Sequence, residues 1–161
     1  MHNSLYSSGD AYLFAELYSF RATPSESPPD YAHIVQNNVV AIPYSTQGNQ
    51  GPGGVARFDI SSQASLHADY NALYAPHIHA SKYRDITRGY TLSEWQARGL
   101  EINGLDLNST PFVDAAAGNL RLAALSPCAS AGTGTVAPWC RVDADGRRRP
   151  QLSPSMGAYE P

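Results

Sequence analysis

Two carboxylates and a scatter of basic and imidazole side chains are the residues of this chain whose types and spacing suit chemistry. Glu16 and Asp59 occupy matching places in two alternating segments, Leu13-Phe14-Ala15-Glu16-Leu17 and Ala56-Arg57-Phe58-Asp59-Ile60. If the two segments stack as neighbouring strands, both carboxylates face outward about 5 Å apart. Like charges at that distance repel, so one acid keeps its proton to higher pH. The separation also suits a retaining glycosidase pair. Arg57 lies beside Asp59 and would equally neutralise both, which leaves two solvated surface acids as the alternative. His77-Ile78-His79 puts two imidazoles on one face of an extended segment, the minimum for a divalent metal, with His67 or Asp69 as a third ligand. That metal is the one cofactor the chain suggests. Lys82 and Arg84 add a basic pair on the same loop, suited to acidic groups or simply solvated. Tyr12, Tyr18 and Tyr74, with Arg57, offer stacking faces and a charge for sugar rings, although tyrosines also fill cores.

The background composition narrows the function classes. The chain has 161 residues, 42% of them apolar and 16% charged, enough for one folded domain with a sizeable core. A net charge of −3, with basic residues scattered apart from Arg147-Arg148-Arg149, leaves no electrostatic footprint for nucleic acid. No apolar run approaches the length of a membrane-spanning helix, and the first residues lack the basic and apolar regions of a signal peptide. With 10 Tyr, 13 Gly and 12 Pro, the expectation is a loop-rich β protein. Cys128 and Cys140 flank a Gly-rich loop, where a disulfide would contribute about 3 kcal/mol in the chain-entropy model; two separate buried thiols are the alternative, and the spacing suits neither a zinc nor a redox motif.

The elements that must position these groups repeat. Asn3-Ser4-Leu5-Tyr6, Asn38-Val39-Val40-Ala41 and Asn71-Ala72-Leu73-Tyr74 share a frame, with asparagines 35 and 33 residues apart. Stacked parallel coils about 4.8 Å apart would let each asparagine amide donate to the next, a ladder whose role is structural. Pro-, Gly- and Ser-rich segments between the strands read as long loops. Residues 91–99 read as a short helix opened by a capping box, Thr91 to Glu94, and ended by Gly99, with Leu92 and Trp95 laid on the core. Extended segments precede Asn38 and Asn71, but only two residues precede Asn3. The first coil is therefore expected to be open, and the chain to associate through that end as a homo-oligomer or to dock on a longer protein.

The closing third carries a resemblance. Ser126, Pro127 and Gly132, then Asp143, Asp145, Gly146, Arg149 and Pro150, then Gly157, Ala158, Tyr159 and Glu160 fall on the pattern SPaiDaG, DxDGxxRP, iGAyE. Residues 69–161 thus resemble the C-terminal end of extracellular right-handed parallel β-helix, pectate-lyase-like proteins, with Ser130 in place of the family's acidic residue. The helix followed by Pro111-Phe112-Val113 also resembles that family. The resemblance implies an all-β chain, a right-handed parallel β-helix of about three coils with one short helix and an irregular C-terminal closure. It divides the single 1–161 domain into coils (1–74), a loop and helix insertion (75–118) and a closing segment (119–161). It implies a secreted or cell-surface protein acting on polysaccharide as a lyase or glycoside hydrolase, with Lys82 and Arg84 as basic residues near a uronate. The alternatives are a glycan-binding or adhesion module and a structural cap. It also implies that Asp143-Ala144-Asp145-Gly146, superficially like a calcium loop, is a closing turn in which Arg149 pairs with an acid.

Overall fold

The computed structural model describes residues 2–6, 18–21, 33–42, 56–59, 66–76, 82–85, 88–135 and 140–161, with backbone alone at 5, 18–21, 33, 56–59 and 66. Its regular structure is mostly strand, with a single short helix among the described residues. The strands are β1 (Ser4–Tyr6), β2 (Tyr18–Arg21), β3 (His33–Gln36), β4 (Val39–Ala41), β5 (Ala56–Asp59), β6 (Leu66–Asp69), β7 (Ala72–Tyr74), β8 (Tyr83–Asp85) and β9 (Gly89–Tyr90). Helix α1 (Leu92–Gln96) follows, then β10 (Leu105–Asp106), β11 (Phe112–Asp114) and β12 (Asn119–Leu122). The chain visits three sheets in turn: β1-β4-β7-β10, β2-β5-β8 with β9 added, and β3-β6. Every pairing between successive visits is parallel, while β8–β9 and β11–β12 are antiparallel. The stack therefore runs past residue 74, since β8 and β10 extend two of the sheets.

The asparagine frame is in register. Ser4 pairs with Val39 and Val39 with Ala72, so Asn3, Asn38 and Asn71 precede equivalent residues. Asn3 Nδ2 donates to Asn38 Oδ1 at 2.9 Å, and Asn38 Nδ2 donates to Asn71 Oδ1 at 2.8 Å. Each acceptor also takes the backbone N–H of the asparagine above it, at 3.1 and 3.0 Å. Asn37 and Tyr70, just before two of the rungs, have positive φ values of 59° and 56°, the bend that turns β3 into β4 and β6 into β7. The asparagines recur because this corner leaves polar backbone inside the stack, and a short amide satisfies it.

The middle strands of the first sheet, β4 and β7, carry buried residues on both faces, as a run without polar alternation predicts. Val40 and Leu73 face a core with Tyr83, Tyr90 and Trp95, whereas Val39, Ala41 and Ala72 face Phe112, Leu122, Cys128 and Met156. The C-terminal segment thus covers the outer flank of the sheet. Thr91 caps α1 through the full capping box with Glu94, and Gly99 at φ 83° follows the helix end. Trp95 is fully buried, its ring 6.0 Å from Tyr83 and 5.2 Å from Tyr90 between centroids. The closing turn is built around buried charge: Asp143 Oδ1 accepts the N–H groups of Asp145 and Arg147, and Arg149 Nη1 bonds Glu160 Oε1 at 2.6 Å. Cys128 and Cys140 are separate thiols here. Cys128 lies inside the core against Met156, where burial pushes its thiol up to about 11, so the disulfide expectation is not met in this structure.

Candidate functional site

The face expected to carry chemistry is built on β5 and β8. Their register sets Arg57 opposite Arg84, with Ser19 beyond Arg57 on β2. Arg84 is half-exposed and its side chain makes no hydrogen bond or ion pair among the described residues. On the next row Asp59 lies opposite Arg21, not Glu16. Glu16 lies outside the described residues. The carboxylate pair drawn from matching alternation is therefore replaced at Asp59 by a carboxylate–arginine register: the strand that pairs with β5 falls at Tyr18–Arg21, further along the chain than the Leu13–Leu17 alternation suggested. Tyr18, Arg57 and Asp59 all lie in this sheet.

The remaining candidates separate. Lys82 Nζ pairs with the Asp106 carboxylate of β10, with only 12% of its side chain exposed, so its ammonium is committed to a carboxylate of another sheet. Tyr74 is half-buried and packs on the cluster of Val39, Phe112 and Met156. His67 is exposed on β6, opposite Ile34. Asp69, its potential co-ligand, already accepts from Tyr70 N, Asn103 N and Asn103 Nδ2. Tyr12, His77 and His79 lie outside the described residues, and among those described no group of three or more His, Cys, Asp or Glu side chains could hold a metal. No described helix is long and apolar enough to cross a membrane.

Beside Arg84 the basic groups are compensated. Arg98 Nη1 bonds Asp85 Oδ2 at 2.6 Å and stacks over Tyr90, whose hydroxyl donates to the same oxygen at 2.6 Å. Arg88 pairs with Glu94 at 2.9 Å; the Thr91 backbone N–H and the Arg88 guanidinium together hold the Glu94 carboxyl down at about 2. Among the side chains described on this face, the Arg84 guanidinium is left without an acid.

Two features were not read from the sequence. The first is Glu101, 1% exposed, whose carboxyl receives both donors of Asn71: Nδ2 at 2.8 Å on Oε1 and the backbone N–H at 3.2 Å on Oε2. Burial raises its pKa to about 8 against the lowering by Asn71. Gly104 occupies the next ladder position, since Leu105 pairs with Ala72, and a Cβ there would lie 2.8 Å from Glu101 Cβ. The glycine makes room for the acid that replaces the fourth asparagine. The one available signal was Gly104 at the continued spacing of the asparagine frame. The second feature is a cleft of about 700 Å³ in the closing segment, bordered by Thr135, Cys140, Arg141, Arg148 and Gln151. Its arginines are distant in sequence from the coils that carry the frame.

Comparison with protein-family models, with curated proteins and with solved structures finds no match for this chain.

Proposed function

We propose that this chain is a segment of a right-handed parallel β-helix, similar to extracellular pectate-lyase-like proteins, that binds polysaccharide outside the cell through the β5–β8 face. The observation that carries the reading is the register of Arg57 with Arg84, together with the absence of an acid beside Arg84 among the described residues. Arginine is suited to such a ligand because its planar guanidinium holds carboxylate oxygens bidentately. The parallel three-sheet stack supports the solenoid half of the proposal, and the closing turn around Arg149 and Glu160 agrees with the resemblance. Binding is favoured over catalysis because Lys82 is paired with Asp106 and Asp59 stands in register with Arg21.

A panel of neutral and acidic polysaccharides immobilised on a surface, run beside a depolymerisation assay on the same sugars, tests this. Retention without turnover is expected, with Arg84→Ala weakening it about tenfold, the equivalent of one charge-assisted hydrogen bond. Turnover would reject the binding-only reading, and unchanged retention by Arg84→Ala would reject the face.

A further inference from the structure

The asparagine ladder has a direction, and the two ends of the stack differ because of it. Within it each amide donates downward, from Asn3 to Asn38 and from Asn38 to Asn71, and each Oδ1 accepts from the residue above. At the far end Glu101 accepts from Asn71 and terminates the series. At the near end Asn3 is exposed, its Nδ2 and N–H are used on Asn38, and its Oδ1 accepts from no described residue. The same end carries the edges of all three sheets, since β1, β2 and β3 are each terminal in their order among the described residues. Ile34 on the β3 edge is 63% exposed. Among the described residues the C-terminal segment meets the first strand from its flank, where Ala158 N–H donates to Ser4 Oγ and His2 meets the Ser155 carbonyl.

We infer that this end face docks a partner β-segment that runs parallel to β1 and β3 and presents an asparagine, or an equivalent backbone N–H with side-chain NH2, to Asn3 Oδ1. Free edge strands template further strands, and parallel order is set by the pairing already present in each sheet. The ladder decides which partner fits. A two-fold copy of this chain would set β1 against β1 antiparallel and reverse the ladder, so the backbone N–H and side-chain NH2 that each rung presents together would not meet Asn3 Oδ1 in the order seen between Asn38 and Asn71. A head-to-tail copy would bring Asn3 to the end closed by Glu101, which is 1% exposed and turned onto Asn71, out of reach of Asn3 Oδ1. Neither self-association supplies the paired donors of a rung, so a homo-oligomer through this end is disfavoured and a parallel strand of a partner that presents such a pair is selected.

Residues 33–42 show the required chemistry within this molecule, because that segment seats Asn38 on Asn71 while β3 and β4 pair with β6 and β7. A fluorescently labelled peptide of that sequence, titrated with the intact chain, is therefore the probe, and anisotropy is the readout. Saturable binding is expected, weakened at least about tenfold by Asn38→Asp in the peptide, which turns the donor into an acceptor, and similarly by Asn3→Ala in the protein. The peptide variant keeps the test valid if the protein variant loses its first strand. Sedimentation over a concentration series of the chain alone should give a monomer. Absence of peptide binding up to millimolar concentration, binding indifferent to both substitutions, or a dimer that protects the Asn3–Tyr6 amides from exchange would each overturn the inference.

Discussion

Replacing Glu101 by glutamine tests how much a buried carboxyl at the end of the ladder costs. In the folded chain its pKa is raised from 4.5 to about 8, chiefly by burial. Between those values the unfolded chain has released the proton while the folded chain keeps it, so folding stability falls as pH rises through this window and levels off above about 8. At 1.36 kcal/mol per pH unit the whole window corresponds to about 5 kcal/mol, a large share of a small domain's net stability. Glu101→Gln removes the titration and keeps one oxygen for Asn71 Nδ2, but its NH2 then faces the Asn71 backbone N–H that now meets Oε2. One lost hydrogen bond costs about 1 kcal/mol. The variant should therefore be less stable than the parent by about 1 kcal/mol at pH 4.5 and more stable by a few kcal/mol at pH 8.5. Urea unfolding of both proteins at half-unit pH intervals measures the difference. A stability gap that stays constant across the range, or a parent that gains stability from pH 5 to 8 relative to the variant, would refute the reasoning.

Asn38→Ala should cost about 2–4 kcal/mol in urea unfolding, because it removes the middle rung, leaves the Asn3 donors and the Gln36 carbonyl without their partner, and leaves Asn71 Oδ1 with only the backbone N–H of residue 38, in a site that is 3% exposed. Gly104→Ala should destabilise by about 1–3 kcal/mol, since its Cβ would meet Glu101 Cβ at 2.8 Å, and pairing it with Glu101→Gln should not restore stability because the contact is with the shared Cβ. Glu160→Gln should cost about 3 kcal/mol by leaving Arg149, 8% exposed, without its charge partner, while Arg149→Met combined with Glu160→Gln should cost less than the two single changes added together; a strictly additive cycle by thermal or urea unfolding would show that the pair is not coupled.

Local and periodic features were legible without coordinates. The asparagine spacing predicted the rungs, because a corner repeated before each paired strand must satisfy the same backbone groups and a repeated short amide is the chemical trace of that demand. Thr91 and Glu94 marked α1, and Trp95 marked its buried side, because capping and helical spacing act within one turn. The resemblance implied a closing turn at Asp143-Ala144-Asp145-Gly146, and the chemistry there is local, the first carboxylate accepting from the N–H groups of Asp145 and Arg147. Register between distant strands was not legible: alternation fixes which residues share a face but not how far a long loop carries the chain before the next strand begins, so Asp59 met Arg21 where Glu16 was expected. Lys82, Asp106 and the acid at 101 show the same division. Each is an ordinary charged residue in the sequence, and only the packing of the sheets sets Lys82 against Asp106 and folds the Glu101 carboxyl against Gly104, where burial, a property of the assembled tertiary structure, determines its charge.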